Sequence, residues 1–206
     1  MLAVLRRRAD TDRRYAPRAE RAVLQADGPQ AGLVHLAVEA ARHQVPVVTD
    51  DGFALYESSA IVEYVEERFP EGPPLFLKDA RGRALVRQWV SEITSHVERP
   101  IETLVDEIFY QPDVAKRNRA AIGDARTALA VELEHFEGRL SAPWLLGQLS
   151  AADFTLYPLL AMFPRFELRE RELGLGALIG PKVREFMRAV EALPYFDRTY
   201  PPHWRT

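Results

Sequence analysis

The chain has no cysteine. That absence excludes disulfide bridges, thiolate metal sites and a protein thiol nucleophile. Long apolar runs are missing as well, and none approaches the roughly eighteen residues that a helical membrane span needs. There is no glycine-rich phosphate loop, no GxSxG turn and no nucleic-acid motif. The five histidines are scattered. His35 and His43 have strand or loop surroundings and His96 falls on a helix, and none pairs at metal spacing with a carboxylate partner. No metal is expected. Met1–Leu5 is too short for the core of a signal peptide and runs straight into Arg6, Arg7 and Arg8, so a cytoplasmic location is expected.

What is present is the profile of an ordinary globular protein. Of 206 residues, 47% are hydrophobic and 28% charged, which allows one or two domains with a real core. The net charge of −3 hides an asymmetry. Residues 1–21 carry seven Arg against Asp10, Asp12 and Glu20, so an acidic remainder follows a basic start. A transit peptide would be rich in Ser and poor in acids, and this segment is neither. One short basic cluster is also a thin footprint for nucleic acid, which is not an expected partner.

Met1–Leu5 predicts a short buried strand and Pro17–Ala26 a helix that opens on proline and ends at Asp27-Gly28. Leu33–Ala41 fits strand and helix periodicity alike, with strand preferred. Val45–Thr49 and Phe53–Tyr56 flank Asp50-Asp51-Gly52, a hairpin signal. Ser58–Arg68 predicts a helix with Ile61, Tyr64 and Val65 on one face. Pro70, Gly72, Pro73 and Pro74 then mark a linker. Beyond it the pattern is helical, over Asp79–Val97, Asp124–Leu140 and Pro181–Ala192. Strands mixed with helices, then helices only, predict a small α/β domain followed by an all-α one.

Two stretches carry chemistry. In "QVPVVTDDGFALYESSAIVEYVEERFP", Pro46 has no N–H to give a sheet, and the backbone of Val45 is left to pair with a peptide-like ligand lying alongside. Ser58 is a candidate N-cap at a helix mouth that attracts carboxylate, and Glu57 beside it suits an ammonium group. Together they describe the α-amino-acid end of a ligand. The same residues also fit an edge-strand proline and a plainly capped helix. In "WLLGQLSAADFTLYPLL", Ser150 and Asp153 form a capping box, with Leu149 and Phe154 placed for a hydrophobic staple. That is a folding device.

The two stretches, in this order and separated by a proline-rich linker and a long helix, resemble the two signatures of the glutathione S-transferase family over roughly residues 44–206. The resemblance implies a thioredoxin-like glutathione-binding domain over 1–72, an all-helical domain over 79–206 and a homodimer. It implies that glutathione is the co-substrate. The backbone of Val45, before a cis Pro46, would pair with its cysteinyl part. Glu57 and Ser58 would hold its γ-glutamyl end, and Gln44 would reach its glycine end. The second substrate would be a small hydrophobic electrophile beside the helix bearing Trp89 and His96.

The first forty-three residues depart from the family's pattern. The family's thiolate-stabilising hydroxyl or thiol belongs near the first helix, where this chain reads "RADTDRRYAPRAERAVL". Pro17 falls near the activating position, Thr11 and Tyr15 are the nearby hydroxyls, and Tyr15 is the candidate donor. Only Glu39–Gln44 remain between the second strand and Val45-Pro46. Six residues span at most about 20 Å, too little for the family's helical excursion, so part of the glycine-end subsite is expected to be missing. A non-catalytic, ligand-binding or scaffolding member of the fold is the alternative reading.

Overall fold

The computed structural model describes residues 46–201 and Trp204, apart from Gly52 and Ala142. The expected first strand, first helix and Leu33–Ala41 strand, together with Tyr15, Gln44 and Val45, lie outside those residues. The chain divides between Gly72 and Pro73 into two compact units.

In the first unit, β1 (Val47–Asp50) and β2 (Phe53–Tyr56) form an antiparallel hairpin, with Val47 opposite Tyr56 and Asp50 opposite Phe53. Two residues connect them, and Asp51 takes a φ of 46°, a left-handed conformation that Asp tolerates and that two-residue hairpin turns require. One residue later the chain enters α1 (Ser58–Arg68), the span expected from sequence. Ile61 is buried beneath it. Tyr64 and Arg68 follow Ile61 at helical spacing on that face. Val65 instead points outward at 43% exposure, because one more residue rotates a side chain by about 100°.

The second unit is helical. Asp79 caps α2 (Ala80–Ile93), accepting 3.0 Å hydrogen bonds from the N–H groups of Arg81 and Gly82. Those bonds, Gly82's foremost, hold its carboxyl below the usual range. The helix does not stop at Val97 as its periodicity suggests. It passes through a wide turn, Thr94–Glu98, into α3 (Arg99–Val105) and a second wide turn, Asp106–Tyr110. Pro100 accounts for the first: it offers no N–H to the His96 carbonyl and would collide with it in a regular helix. A wider turn absorbs the conflict and the helix goes on. Trp89 is buried and stacks on Phe136 with ring centroids 5.5 Å apart. It is a core residue, while His96 is exposed.

The next helix, α4 (Arg119–Arg139), begins a turn before the expected Asp124. Asn118 caps it, accepting from the Ala121 N–H at 3.1 Å, and Gly123 is carried within the helix. After α5 (Ala151–Leu160) and α6 (Phe163–Arg169) comes α7 (Pro181–Glu191), which starts on proline as expected. Its first N–H groups are satisfied from outside: the Glu137 carboxylate accepts from Lys182 at 2.8 Å and Val183 at 3.0 Å. Gly180 has no room for a side chain because Glu137 occupies that space. A last short turn, α8 (Phe196–Thr199), packs Phe196 edge-on against Tyr157. Phe136, Phe163, Phe166, Phe186, Leu129 and Leu156 are all fully buried in one core.

Candidate functional site

The candidate ligand site of the first unit lies at the end of the hairpin where β1 begins and β2 ends. Pairing of Val47 with Tyr56 brings Pro46, which precedes β1, and Glu57, which follows β2, to that same end. Pro46 stands just outside the strand, where its missing N–H costs the ladder nothing. The helix mouth of α1 opens there too.

Glu57, rather than Ser58, holds the cap position of α1, and Ser58 is the first helical residue. The Glu57 side chain does not cap the helix. The displacement has a local cause. A single residue must turn the chain from strand to helix, and Glu57 does so at φ 72° and ψ 118°. A non-glycine residue with positive φ is uncommon and costs of order 1–3 kcal/mol. The Glu57 carbonyl already accepts the first helical bond, from the Ile61 N–H at 2.9 Å. The first N–H groups of any helix lack intrahelical partners and carry the positive end of the dipole. Glu57 and Ser58 are both part-buried. The mouth therefore places backbone donors for an anion beside a carboxylate suited to a cation.

At the far end of α1 a second polar cluster lies where sequence reasoning saw only a turn and a helix face. The Tyr64 hydroxyl donates to Asp50 Oδ2, and Arg68 Nε donates to the same oxygen at 3.1 Å. Asp50 is 6% exposed, and its Oδ1 is buried with no hydrogen-bond partner among the described residues. The Tyr64 ring also packs on Phe53, with centroids 5.5 Å apart. The bond to Asp50, first among the causes, raises the Tyr64 hydroxyl above its ordinary pKa. No spacing rule links a strand-end Asp to helix positions 14 and 18 residues later, so the sequence held no signal for it.

The capping box of the second unit forms as expected. Asp153 Oδ2 accepts from the Ser150 N–H and hydroxyl, each at 2.7 Å. Its Oδ1 accepts from the Leu145 N–H at 2.9 Å. The residue is fully buried, and burial raises its carboxyl above the usual range despite three donors. Among the described residues, no cluster of His, Asp or Glu could hold a metal ion, and no helix is long and apolar enough to cross a membrane.

Residues 34–74 match the family model described as "Glutathione S-transferase, N-terminal domain". Glutathione S-transferase F12 of Arabidopsis thaliana is 30% identical over 119 residues, covering 56% of this chain and 56% of that protein. Poplar glutathione transferase F1 superposes with a TM-score of 0.64 at 21% identity, over 76% of this chain and 72% of that one. A glutathione transferase from Burkholderia graminis, solved with two glutathione molecules bound per subunit, gives 0.60 at 23% identity, over 76% and 66%. The fold is therefore the two-domain one of these neighbours, thioredoxin-like first and all-helical second. The chain is thus similar to glutathione S-transferases in sequence and in fold, and its residues 34–74 match that family's N-terminal domain. It spans between half and two thirds of the length of the first curated relatives it matches.

Proposed function

We propose that the chain is a glutathione-dependent transferase. The observation that carries this is the α1 mouth: a helix end that its own cap residue's side chain does not cap, entered through Glu57 at positive φ, at the hairpin end where Pro46 precedes β1. Backbone strain of this kind persists where the surrounding structure enforces it, and it concentrates at ligand sites. Glutathione's γ-glutamyl carboxylate suits the first turn of α1 and its ammonium suits Glu57. Val45 beside Pro46 would pair with the cysteinyl backbone, and Gln44 would reach the glycine end. In the reaction, the glutathione thiolate attacks an electrophilic carbon of a small hydrophobic substrate. A C–S bond forms and the leaving group departs with its electron pair. Tyr15 would donate a hydrogen bond that favours the thiolate and lowers the thiol pKa. The working form would be a homodimer in the cytoplasm, acting in detoxification.

Retention on immobilised glutathione, elution by free glutathione and turnover of a generic aryl halide test the proposal. Retention with turnover is the expected result. Retention without turnover would make the chain a non-catalytic glutathione-binding member of the fold. No retention and no turnover would refute both readings.

A further inference from the structure

The Asp50–Tyr64–Arg68 cluster takes no part in the ligand chemistry proposed above. Ten residues separate Ser58 from Arg68, which places the cluster about 15 Å from the helix mouth. Its composition is costly. Asp50 is 6% exposed, one of its oxygens is buried without a partner among the described residues, and the other is shared by two donors. A buried acceptor left unsatisfied is expensive. Arg68 is 49% exposed, and an ion pair with so exposed a partner adds little stability. Stability alone therefore does not account for a carboxylate at this place. A carboxylate does something that packing does not: it fixes Tyr64 and Arg68, two donors one helical turn apart, to a single point.

That point matters because of how α1 is attached. One residue, Glu57, joins β2 to α1, and it sits at φ 72°. Left to itself such a link relaxes toward negative φ and swings the helix about its own mouth. Ile61, buried near the first turn, resists sliding but stands close to that pivot. The cluster grips the last turn, far from the pivot, where a small restraint controls the largest movement. Asp50 is itself the last residue of β1 and pairs with Phe53, the first of β2. The grip thus refers α1 to the same hairpin whose other end carries Pro46 and Glu57.

We propose that Asp50, Tyr64 and Arg68 are positioning residues for the glutathione subsite, holding Glu57 at its positive φ and the α1 mouth toward the γ-glutamyl group. The inference rests on the glutathione-binding reading. Tyr64→Phe removes one hydroxyl and keeps the ring on Phe53. Asp50→Asn keeps an oxygen that accepts from both donors. The probes are S-hexylglutathione and S-hexylcysteinylglycine, which lacks the γ-glutamyl group, titrated by calorimetry. Amide exchange of Ser58–Ile61 is followed without ligand.

Tyr64→Phe is expected to weaken S-hexylglutathione by about five-fold, the scale of one hydrogen bond. S-hexylcysteinylglycine should bind as it does to the parent, and exchange at the α1 mouth should quicken. Asp50→Asn should stay within about two-fold of the parent. Equal weakening of both probes, or unchanged binding and exchange, would overturn the positioning role while leaving the glutathione reading intact. A parent that binds neither probe refutes the glutathione reading, and the role of the cluster in that subsite falls with it.

Discussion

Replacing Asp153 by Ala tests whether the Ser150–Asp153 pair is an ordinary helix cap. An ordinary cap is worth about 0.5–2 kcal/mol. The structure demands more. Asp153 is fully buried and accepts from three donors, and two of them are backbone N–H groups that cannot turn elsewhere, those of Leu145 and Ser150. Each orphaned buried donor costs about 1–3 kcal/mol. Relief from burying a carboxylate offsets part of that. The expected loss is about 3 kcal/mol, read as the free energy of urea unfolding. For a chain of this size the melting temperature should fall by about 6–12 °C. Asp153→Asn should also destabilise, because its amide NH2 must face either the Leu145 or the Ser150 N–H. The pH dependence adds a check. Burial, the leading cause, raises the native carboxyl above its unfolded value of 3.8, so the native state holds the proton more tightly. This group's stabilisation is complete below 3.8 and is lost as pH rises through the native value. Asn does not titrate, so the gap between parent and Asp153→Asn should be widest at acid pH and narrow toward neutrality. A loss under about 1 kcal/mol would refute the three-donor reasoning.

Glu57→Gly should stabilise the protein by up to about 1 kcal/mol, since glycine takes positive φ without strain, yet weaken glutathione binding. Unfolding and calorimetric titration of the one variant separate the two effects, and a loss of stability would contradict the strain argument. Glu137→Ala removes both acceptors at the start of α7 and should cost about 1–3 kcal/mol by urea unfolding, with glutathione affinity unchanged. Tyr15→Phe should slow conjugation by about ten-fold or more while leaving glutathione affinity little changed. The absorbance of the bound thiolate against pH decides that case, and an identical titration in both proteins would make Tyr15 structural.

Short-range rules carried much of this protein. A turn with Asp and Gly between apolar pairs specifies a hairpin, and β1 and β2 appear where it placed them. Ser150 and Asp153 lie three residues apart, so their reciprocal cap follows from backbone geometry that any helix start repeats. Periodicity located α1 and α7 to within a residue. It misjudged the helix after the linker, because Pro100 reads as a terminator unless a wide turn absorbs it. It also began α4 too late, because Gly123 reads as a break although Asn118 had already capped the helix.

The sequence by itself determined the hairpin, the helix mouth and the likeness to glutathione S-transferases, all encoded in contiguous residues at fixed spacing. Tertiary structure decided that Glu57 rather than Ser58 occupies the cap position, because the φ a single linking residue adopts depends on where the strand and helix it joins are held. It decided that Asp50 is gripped by Tyr64 and Arg68, and that Glu137 caps a helix more than forty residues away. Such partnerships have no period. They arise when packed elements bring distant backbone and side-chain groups within 3 Å, and each buried polar group must then find a partner or bear the cost of lacking one.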